Sequence, residues 1–193
     1  MREITVLLTA CAAQFAPGIV NCLKENGERN VRLIGVDMHE DKTLCALYDA
    51  LYPVPAAADP RYAETLLSIC KTERVDVLMP FMSAELLPLI DRQADFEAAG
   101  TRLSVSDRRS VEICANKLRF YEFMQASGLK VPKFRAVRTA DELLPACEAA
   151  GYPEKAVCVK ATELSGSRGI RILDPAKSRY DLLFGEKPNS MYT

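Results

Sequence analysis

The sequence predicts an α/β protein, in which a doubly wound parallel sheet is followed by a smaller α+β unit. Apolar runs at 4–8, 31–37 and 75–80 alternate with stretches of helical pattern. Alternation of this kind implies parallel strands joined by right-handed crossovers. The runs are almost continuously apolar, which is typical of strands buried on both faces. The alternation stops near residue 106, where a second organisation begins.

The first part contains five strand candidates and the helices between them. Asp59 followed by Pro60 indicates a helix start, since aspartate is a good N-cap and proline suits the first helical position. Ser83 opens another helix in the same way. In chain order we predict a strand at 4–8, a helix near 17–26, a strand at 31–37, a helix at 41–50, a strand at 51–54, a helix from Asp59, a strand at 75–80, a helix from Ser83 and a strand at 101–106.

The second part has fewer and less regular elements. We place the domain boundary so that 1–110 forms the doubly wound domain and 111–193 the α+β unit. Thr139 and Glu142 have the spacing of a capping box, which predicts a helix after them. The other predicted elements are a short and then a longer helix before Gly128, a strand at 133–137, and two strands at 156–160 and 169–173.

Bulk properties exclude several classes of function. The 193 residues carry a net charge of −1 with a pI near 6.0, which is no footprint of a nucleic-acid or acidic-membrane surface. Seven scattered cysteines and a single histidine argue against a structural zinc site. Unpaired cysteines in apolar segments predict a cytoplasmic protein.

The loop after the first strand lacks the glycines of a dinucleotide site. LTACAAQFAPG at 8–18 has alanines where G-x-G-x-x-G is needed, so Asp37 is more readily a polar strand terminus than a ribose ligand. Glu85 follows the strand at 75–80, close to the sheet edge where such folds bind ligands. It could contact substrate there, or it could simply complement the helix dipole.

A loop rich in glycine and serine follows Lys160. Backbone N–H groups of such a loop can converge on a phosphate, and a lysine supplies a mobile positive charge beside it. The Walker order is absent, because here the lysine precedes the glycines. From the pattern alone, a hairpin turn is an equally good interpretation.

The series NKLRFYEFMQASGLKVPKFRAV (116–137), GYP (151–153), VCVK (157–160) and SGSRGIRIL (165–173) resembles the ATP-grasp superfamily, in particular its carbamoyl-phosphate-synthase-like branch. The resemblance implies a Rossmann-like pre-ATP-grasp domain followed by part of the first ATP-grasp lobe. In the family, proline is common after the lysine that Lys160 matches, whereas Ala161-Thr162 follows it here. Glu163 adds a negative charge nearby. The phosphate-binding residues implied by the resemblance are Lys117, Lys160, Ser165, Gly166, Ser167, Arg168 and Gly169.

The resemblance also implies a chemistry. The complete enzyme would use ATP and Mg²⁺ to activate a carboxylate or bicarbonate as an acyl phosphate for an amine, acting in some cases as a homo-oligomer. The family's metal ligands lie beyond this lobe, so we expect no metal site within this chain and no activity from it alone. The alternatives are a non-catalytic module that binds a nucleotide or small ligand, and a remnant of a larger protein.

Overall fold

The computed structural model describes residues 2–39, 43, 46–164, 169–178 and 180. The chain divides into two compact units, unit 1 at Met1–Val111 and unit 2 at Glu112–Thr193. None of the helices described is both long and apolar enough to span a bilayer. Each unit has a sheet of its own.

Unit 1 is built on a five-stranded parallel sheet, as predicted. Its spatial order is β3-β2-β1-β4-β5, so the order of the strands reverses beside β1. This arrangement confirms the doubly wound fold. The strands are β1 (Ile4–Leu8), β2 (Val31–Asp37), β3 (Ala50–Pro53), β4 (Val77–Met79) and β5 (Arg102–Leu103).

Five α-helices among the described residues accompany these strands, and one begins later than predicted. The carboxylate of Asp59 accepts the Arg61 N–H at 2.8 Å, and the Asp59 carbonyl accepts the Tyr62 N–H at 2.9 Å. Asp59 therefore forms a turn before the helix instead of capping it. The helices are α1 (Ala16–Lys24), α2 (Tyr62–Glu73), α3 (Ser83–Ile90), α4 (Gln93–Ala98) and α5 (Arg108–Ala115), the last crossing the boundary between the units.

The helix predicted at 41–50 does not reach its expected end. Positions 40–42, 44 and 45 lie outside the described residues, but 46–49 are not α-helical and Ala50 already begins β3. Asp49 exchanges two hydrogen bonds with Leu33 of β2, one through its backbone N–H at 2.8 Å and one through its carboxylate at 2.7 Å. These bonds hold Asp49 beside β2, so the chain here follows the sheet and does not form a helix.

The core of unit 1 lies on both faces of the sheet. Leu7 and Ile34 face a cluster that contains Leu66 of α2, whereas Leu8 and Leu33 face a cluster on the other side. Neighbouring residues of one strand point to opposite faces, which explains why these runs are apolar without interruption.

Unit 2 is smaller, and within its described part only Cys147 is buried among the apolar side chains. The strands β6 (Val157–Lys160) and β7 (Ile170–Leu173) form an antiparallel hairpin, in the places predicted. Helix α6 (Lys117–Ala126) precedes them, and a 3-10 turn at Ala140–Glu142 leads into α7 (Leu143–Ala150).

Two predictions for unit 2 were wrong. The expected strand at 133–137 is irregular, since no strand in the described part of unit 2 pairs with it; Phe134 instead packs on Tyr121 of α6, with ring centroids 5.3 Å apart. The expected capping box is not formed either. The Thr139 side chain makes no capping bond, and the Glu142 carboxylate accepts from the Arg138 N–H at 2.7 Å.

We expect Gly35→Ala to destabilise unit 1 by about 1–3 kcal/mol, because a Cβ there would lie 2.7 Å from Leu51 Cδ2 and 2.9 Å from Tyr48 Cγ. Gly18→Ala is the matched control, since a Cβ at this position of α1 meets nothing within 4 Å. It should stabilise the unit by about 0.5–1 kcal/mol. Urea unfolding measures both changes, and equal effects of the two substitutions would contradict the close packing at Gly35.

A second prediction concerns acid. The Tyr52 hydroxyl and Arg32 guanidinium donate to Glu73 and lower the pKa of that carboxyl below its ordinary value near 4.5. A carboxyl of this kind stabilises the fold above its ordinary pKa, and that stability is lost as the pH falls through the folded-state pKa. We expect the free energy of unfolding to decrease below about pH 4.5, and Glu73→Gln to cost about 1 kcal/mol at neutral pH while flattening the decrease. Urea unfolding at several pH values tests this, with the exposed Glu28→Gln as control; an unaltered slope in Glu73→Gln would disprove it.

Candidate functional site

The first candidate site lies at the base of the β6–β7 loop. Lys117 begins α6, and its backbone N–H donates to the Thr162 carbonyl at 2.9 Å. Its ammonium Nζ donates to the Leu164 carbonyl at 2.6 Å. The start of α6 is therefore held against the segment that leads into the loop, although 47 residues separate Lys117 from Leu164.

The side chain of Asn116 also bonds to the segment that leads into the loop. The sequence analysis did not identify this residue. Its Oδ1 accepts the N–H groups of Leu118 and Arg119 at 3.1 Å each, which caps α6. Its Nδ2 donates to the Glu163 carboxylate at 2.8 Å. Asparagine directly before a helix is a recognisable cap, but its bond to Glu163 depends on the tertiary structure. Glu163, the acidic residue that departs from the family pattern, is therefore hydrogen-bonded to Asn116.

Lys160 lies at the opposite end of this loop base. It is the last residue of β6, pairs with Ile170 of β7, and exposes its side chain. The hairpin closes through the Ala161 N–H, which donates to the Gly169 carbonyl at 3.2 Å. Gly169 has φ +70°, and a Cβ there would lie 2.9 Å from Leu164 Cδ1, so this position favours glycine.

The structure therefore brings Lys117, Lys160 and Gly169 to the base of one loop. Their action on a phosphate remains a prediction. The other four predicted phosphate-binding residues, Ser165, Gly166, Ser167 and Arg168, lie outside the described residues.

The second candidate site lies at the carboxyl edge of the sheet in unit 1. Glu85, in the first turn of α3, is only 6% exposed. Its Oε2 accepts the Thr9 hydroxyl at 2.5 Å and the Met82 N–H at 3.2 Å. Thr9 Oγ1 in turn accepts the Phe81 N–H at 3.0 Å, which links the ends of β1 and β4. Glu85 is therefore a helix cap, and its contact with substrate remains a prediction.

Tyr62 belongs to the same edge and was missed by the sequence analysis. The residue is 2% exposed, and its hydroxyl lies beside the Glu85 carboxylate. Burial raises the pKa of this hydroxyl, and Glu85 raises it further through its negative charge and through a hydrogen bond, with a smaller effect of Asp37. The carboxylate of Asp37 accepts the N–H groups of Ala12 at 3.1 Å and His39 at 3.0 Å. A tyrosine in the first turn of a helix gives no sequence signal for this position.

The described residues of the two sites form no metal centre. Within the part of the chain that the structure describes, no three His, Cys, Asp or Glu side chains come close enough to hold a metal ion. Apart from Glu163, the described residues at the loop base are cationic or uncharged donors. Donors of this kind suit a phosphate ligand better than a metal ion.

We expect Asn116→Ala to weaken unit 2 by about 1 kcal/mol through loss of the cap, and to release Glu163. Asn116→Ser is the matched variant, since serine caps a helix but is too short to reach Glu163 as the amide does. Hydrogen exchange should therefore speed up at α6 and at 162–164 in the alanine variant, but only at 162–164 in the serine variant. Unchanged exchange at 162–164 in both variants would show that Asn116 does not hold the loop base.

The fold resembles that of known proteins. The family model described as PylC-like, N-terminal domain matches residues 6–104, just over half of the chain. The carbamoyl phosphate synthase large chain of Pseudothermotoga lettingae is 28% identical over 119 residues, which cover 62% of this chain and 10% of that protein. This chain spans only 8% to 19% of the length of the curated relatives it matches.

Two solved structures share the fold over 94% of this chain. N5-carboxyaminoimidazole synthetase from Staphylococcus aureus, complexed with ADP, has a TM-score of 0.61 at 14% identity, and 43% of that chain is covered. An L-amino acid ligase from Bacillus licheniformis has a TM-score of 0.60 at 18% identity, and 41% of that chain is covered. The chain thus belongs to the PylC-like N-terminal domain family.

Proposed function

We propose that this chain supplies the substrate-side domain and part of the ATP site of an ATP-dependent ligase that activates a carboxylate as an acyl phosphate. The observation that carries the proposal is the placement of Lys117 and Lys160 at the base of one glycine-containing loop. In this assignment unit 1 is the pre-ATP-grasp domain and unit 2 belongs to the first lobe, with the boundary near residue 110.

The two lysines would act on the phosphates of ATP through charge. A triphosphate carries close to four negative charges, and an ammonium group beside it stabilises both binding and the charge that shifts during transfer. The Lys117 ammonium now donates to the uncharged Leu164 carbonyl, and a phosphate oxygen is a stronger acceptor for the same donor. Lys160 is exposed at the end of β6 and would reach the ligand from there. The loop at 165–169 would cover the transferred group and exclude water.

The reaction proceeds in two displacements. A carboxylate oxygen, from bicarbonate or a small organic acid, attacks the γ-phosphorus and ADP leaves, forming an acyl phosphate. An amine nitrogen then attacks the acyl carbon and inorganic phosphate leaves. Magnesium, when bound, neutralises phosphate charge. This chain's own lysines position the phosphates.

In this proposal the protein works in the cytoplasm on small molecules, with neither nucleic acid nor membrane as partner, and it is compatible with a homo-oligomer. The six cysteines in the described segments form no disulfide there, which supports a reducing compartment. The net charge of −1 supports the absence of a polyanionic partner. The 193-residue chain by itself is proposed to be inactive.

A non-catalytic module that binds a nucleotide or a small ligand is the second candidate. The Glu163 carboxylate at the loop base favours a small ligand in this role, because negative charge there opposes a triphosphate. Trapping with hydroxylamine separates the two. Acyl phosphate formed by the protein that contains this chain would appear as a hydroxamate. Two assays would be run: hydroxamate formation over a panel of carboxylates, and ADP release in response to bicarbonate. Nucleotide binding with neither hydroxamate nor bicarbonate-dependent ADP release would favour the module.

We expect Lys160→Ala to weaken ATP binding by about 1–3 kcal/mol, the range for a hydrogen bond to a charged group. ATP binding to the unaltered protein should also weaken with added salt, because the attraction is electrostatic. Isothermal titration calorimetry at two salt concentrations measures both effects.

Lys133→Ala is the matched control, since Lys133 is an exposed lysine of unit 2 in the irregular segment before α7. It should leave ATP affinity unchanged. If Lys160→Ala behaves like Lys133→Ala, Lys160 does not bind phosphate and the loop is a plain hairpin turn.

A further inference from the structure

Consecutive residues at the start of α6 bond to consecutive residues of the segment that leads into the β6–β7 loop. The Asn116 Nδ2 donates to the Glu163 carboxylate at 2.8 Å, and the Lys117 Nζ donates to the Leu164 carbonyl at 2.6 Å. The neutral amide thus has the charged acceptor, and the charged ammonium has the neutral one. Two opposite charges attract more strongly than a charge and a neutral group, so this choice of partners needs a physical reason.

Glu163 lies close to Lys117 in the fold. The residues on both sides of Glu163 bond to this lysine: the Thr162 carbonyl accepts the Lys117 N–H at 2.9 Å, and the Leu164 carbonyl accepts from the ammonium. A lysine ammonium sits on a flexible stem that can turn to a new partner. Glu163 and Lys117 both lie in the described ranges, and no ion pair joins them there.

The side chain of Asn116 explains why the two charges stay apart. Its Oδ1 accepts the N–H groups of Leu118 and Arg119 at 3.1 Å each, which fixes the amide at the start of α6. The same planar amide directs its Nδ2 to Glu163. The carboxylate therefore has a hydrogen-bond donor that carries no charge, and it is held at a position where it forms no ion pair with the lysine.

An ion pair with Glu163 would reduce the attraction of Lys117 for an anionic ligand. A carboxylate in contact with the ammonium cancels much of its field, because the two charges are opposite and close. The Leu164 carbonyl is neutral, so it leaves the charge of the Lys117 ammonium uncompensated. A phosphate oxygen is a stronger acceptor than a carbonyl, and it can replace this one without breaking an ion pair. The partner of Glu163 therefore affects how strongly the loop base attracts phosphate.

We propose that Asn116 is a positioning residue, which holds the Glu163 carboxylate away from the Lys117 ammonium and so keeps that ammonium available for an anionic phosphate group. The inference deepens the proposed function, on which it rests for the role of Lys117 at the phosphates. The positioning itself depends only on contacts within unit 2. When Asn116 no longer holds it, the Glu163 carboxylate pairs with Lys117 and competes with the ligand.

Crosslinking with a carbodiimide tests the positioning without any ligand, because this reagent joins a carboxylate to an amine in direct contact with it. Asn116→Ser keeps the helix cap but is too short to hold Glu163. We expect the Lys117–Glu163 crosslink, measured by mass spectrometry on the full 193-residue chain, to be strong in Asn116→Ser and weak in the unaltered chain. The Lys24–Asp49 ion pair of unit 1, with 2.7 Å between Nζ and Oδ2, serves as the internal standard.

Binding of inorganic tripolyphosphate tests the consequence, because this probe has the phosphate chain of ATP without the base. By titration calorimetry on the full chain, we expect Asn116→Ser to bind it about threefold more weakly, the size of effect typical of an exposed ion pair. Adding Glu163→Gln to Asn116→Ser should restore binding, since glutamine has no charge to pair with the ammonium. Glu122→Gln is the matched control and should restore nothing, because the exposed Glu122 of α6 is not three or four residues from Lys117, the spacings at which side chains of one helix meet.

Three results would overturn the proposal: an unchanged crosslink in Asn116→Ser, a loss of tripolyphosphate binding that Glu163→Gln fails to restore, or an equal rescue by Glu122→Gln. Lys117→Ala separates this inference from the proposed function. Tripolyphosphate binding that is unaffected by Lys117→Ala would refute the phosphate role of Lys117, and the crosslink would still decide whether Asn116 positions Glu163. Weaker binding in Lys117→Ala but not in Asn116→Ser would refute only the positioning.

Discussion

Unit 1 depends on β1 being buried on both faces and paired on both edges. It is hydrogen-bonded to β2 on one side and to β4 on the other, and its side chains contribute to both core clusters. A strand in this position leaves its last residue at the point where the strand order reverses. Thr9 is that residue's neighbour, and its hydroxyl is therefore available to connect β4 and Glu85. The position of Thr9 and Glu85 at the carboxyl edge of the sheet is thus fixed by the central position of β1.

Unit 2 relies on directional bonds more than on apolar burial. Its described part buries little, whereas hydrogen bonds from Asn116 and from Lys117 tie α6 to the segment after β6. Exposed hydrogen bonds contribute modestly to stability and open at low cost. The contact between the Lys117 ammonium and the Leu164 carbonyl is therefore easily replaced by a contact with another acceptor.

The two candidate sites have opposite charge. The loop base of unit 2 presents Lys117 and Lys160, and the sheet edge of unit 1 presents Glu85 and Asp37. Because like charges repel, the loop base disfavours cations and the sheet edge disfavours anions.

Much of the fold was determined by the sequence itself. Apolar runs alternating with helical patterns predicted the parallel sheet, and Lys160 was recognised at the end of a strand, because period-2 and period-3.6 patterns are local properties of the chain. The strand expected at 133–137 failed since pairing requires a partner that local pattern does not report. Three features were decided only by the tertiary structure: the position of Tyr62 beside Glu85, the Thr9–Glu85 bond across 76 residues and the Asn116–Glu163 bond across 47. Such contacts depend on how separate elements pack, and no periodicity along the chain encodes the direction in which a single polar group will point.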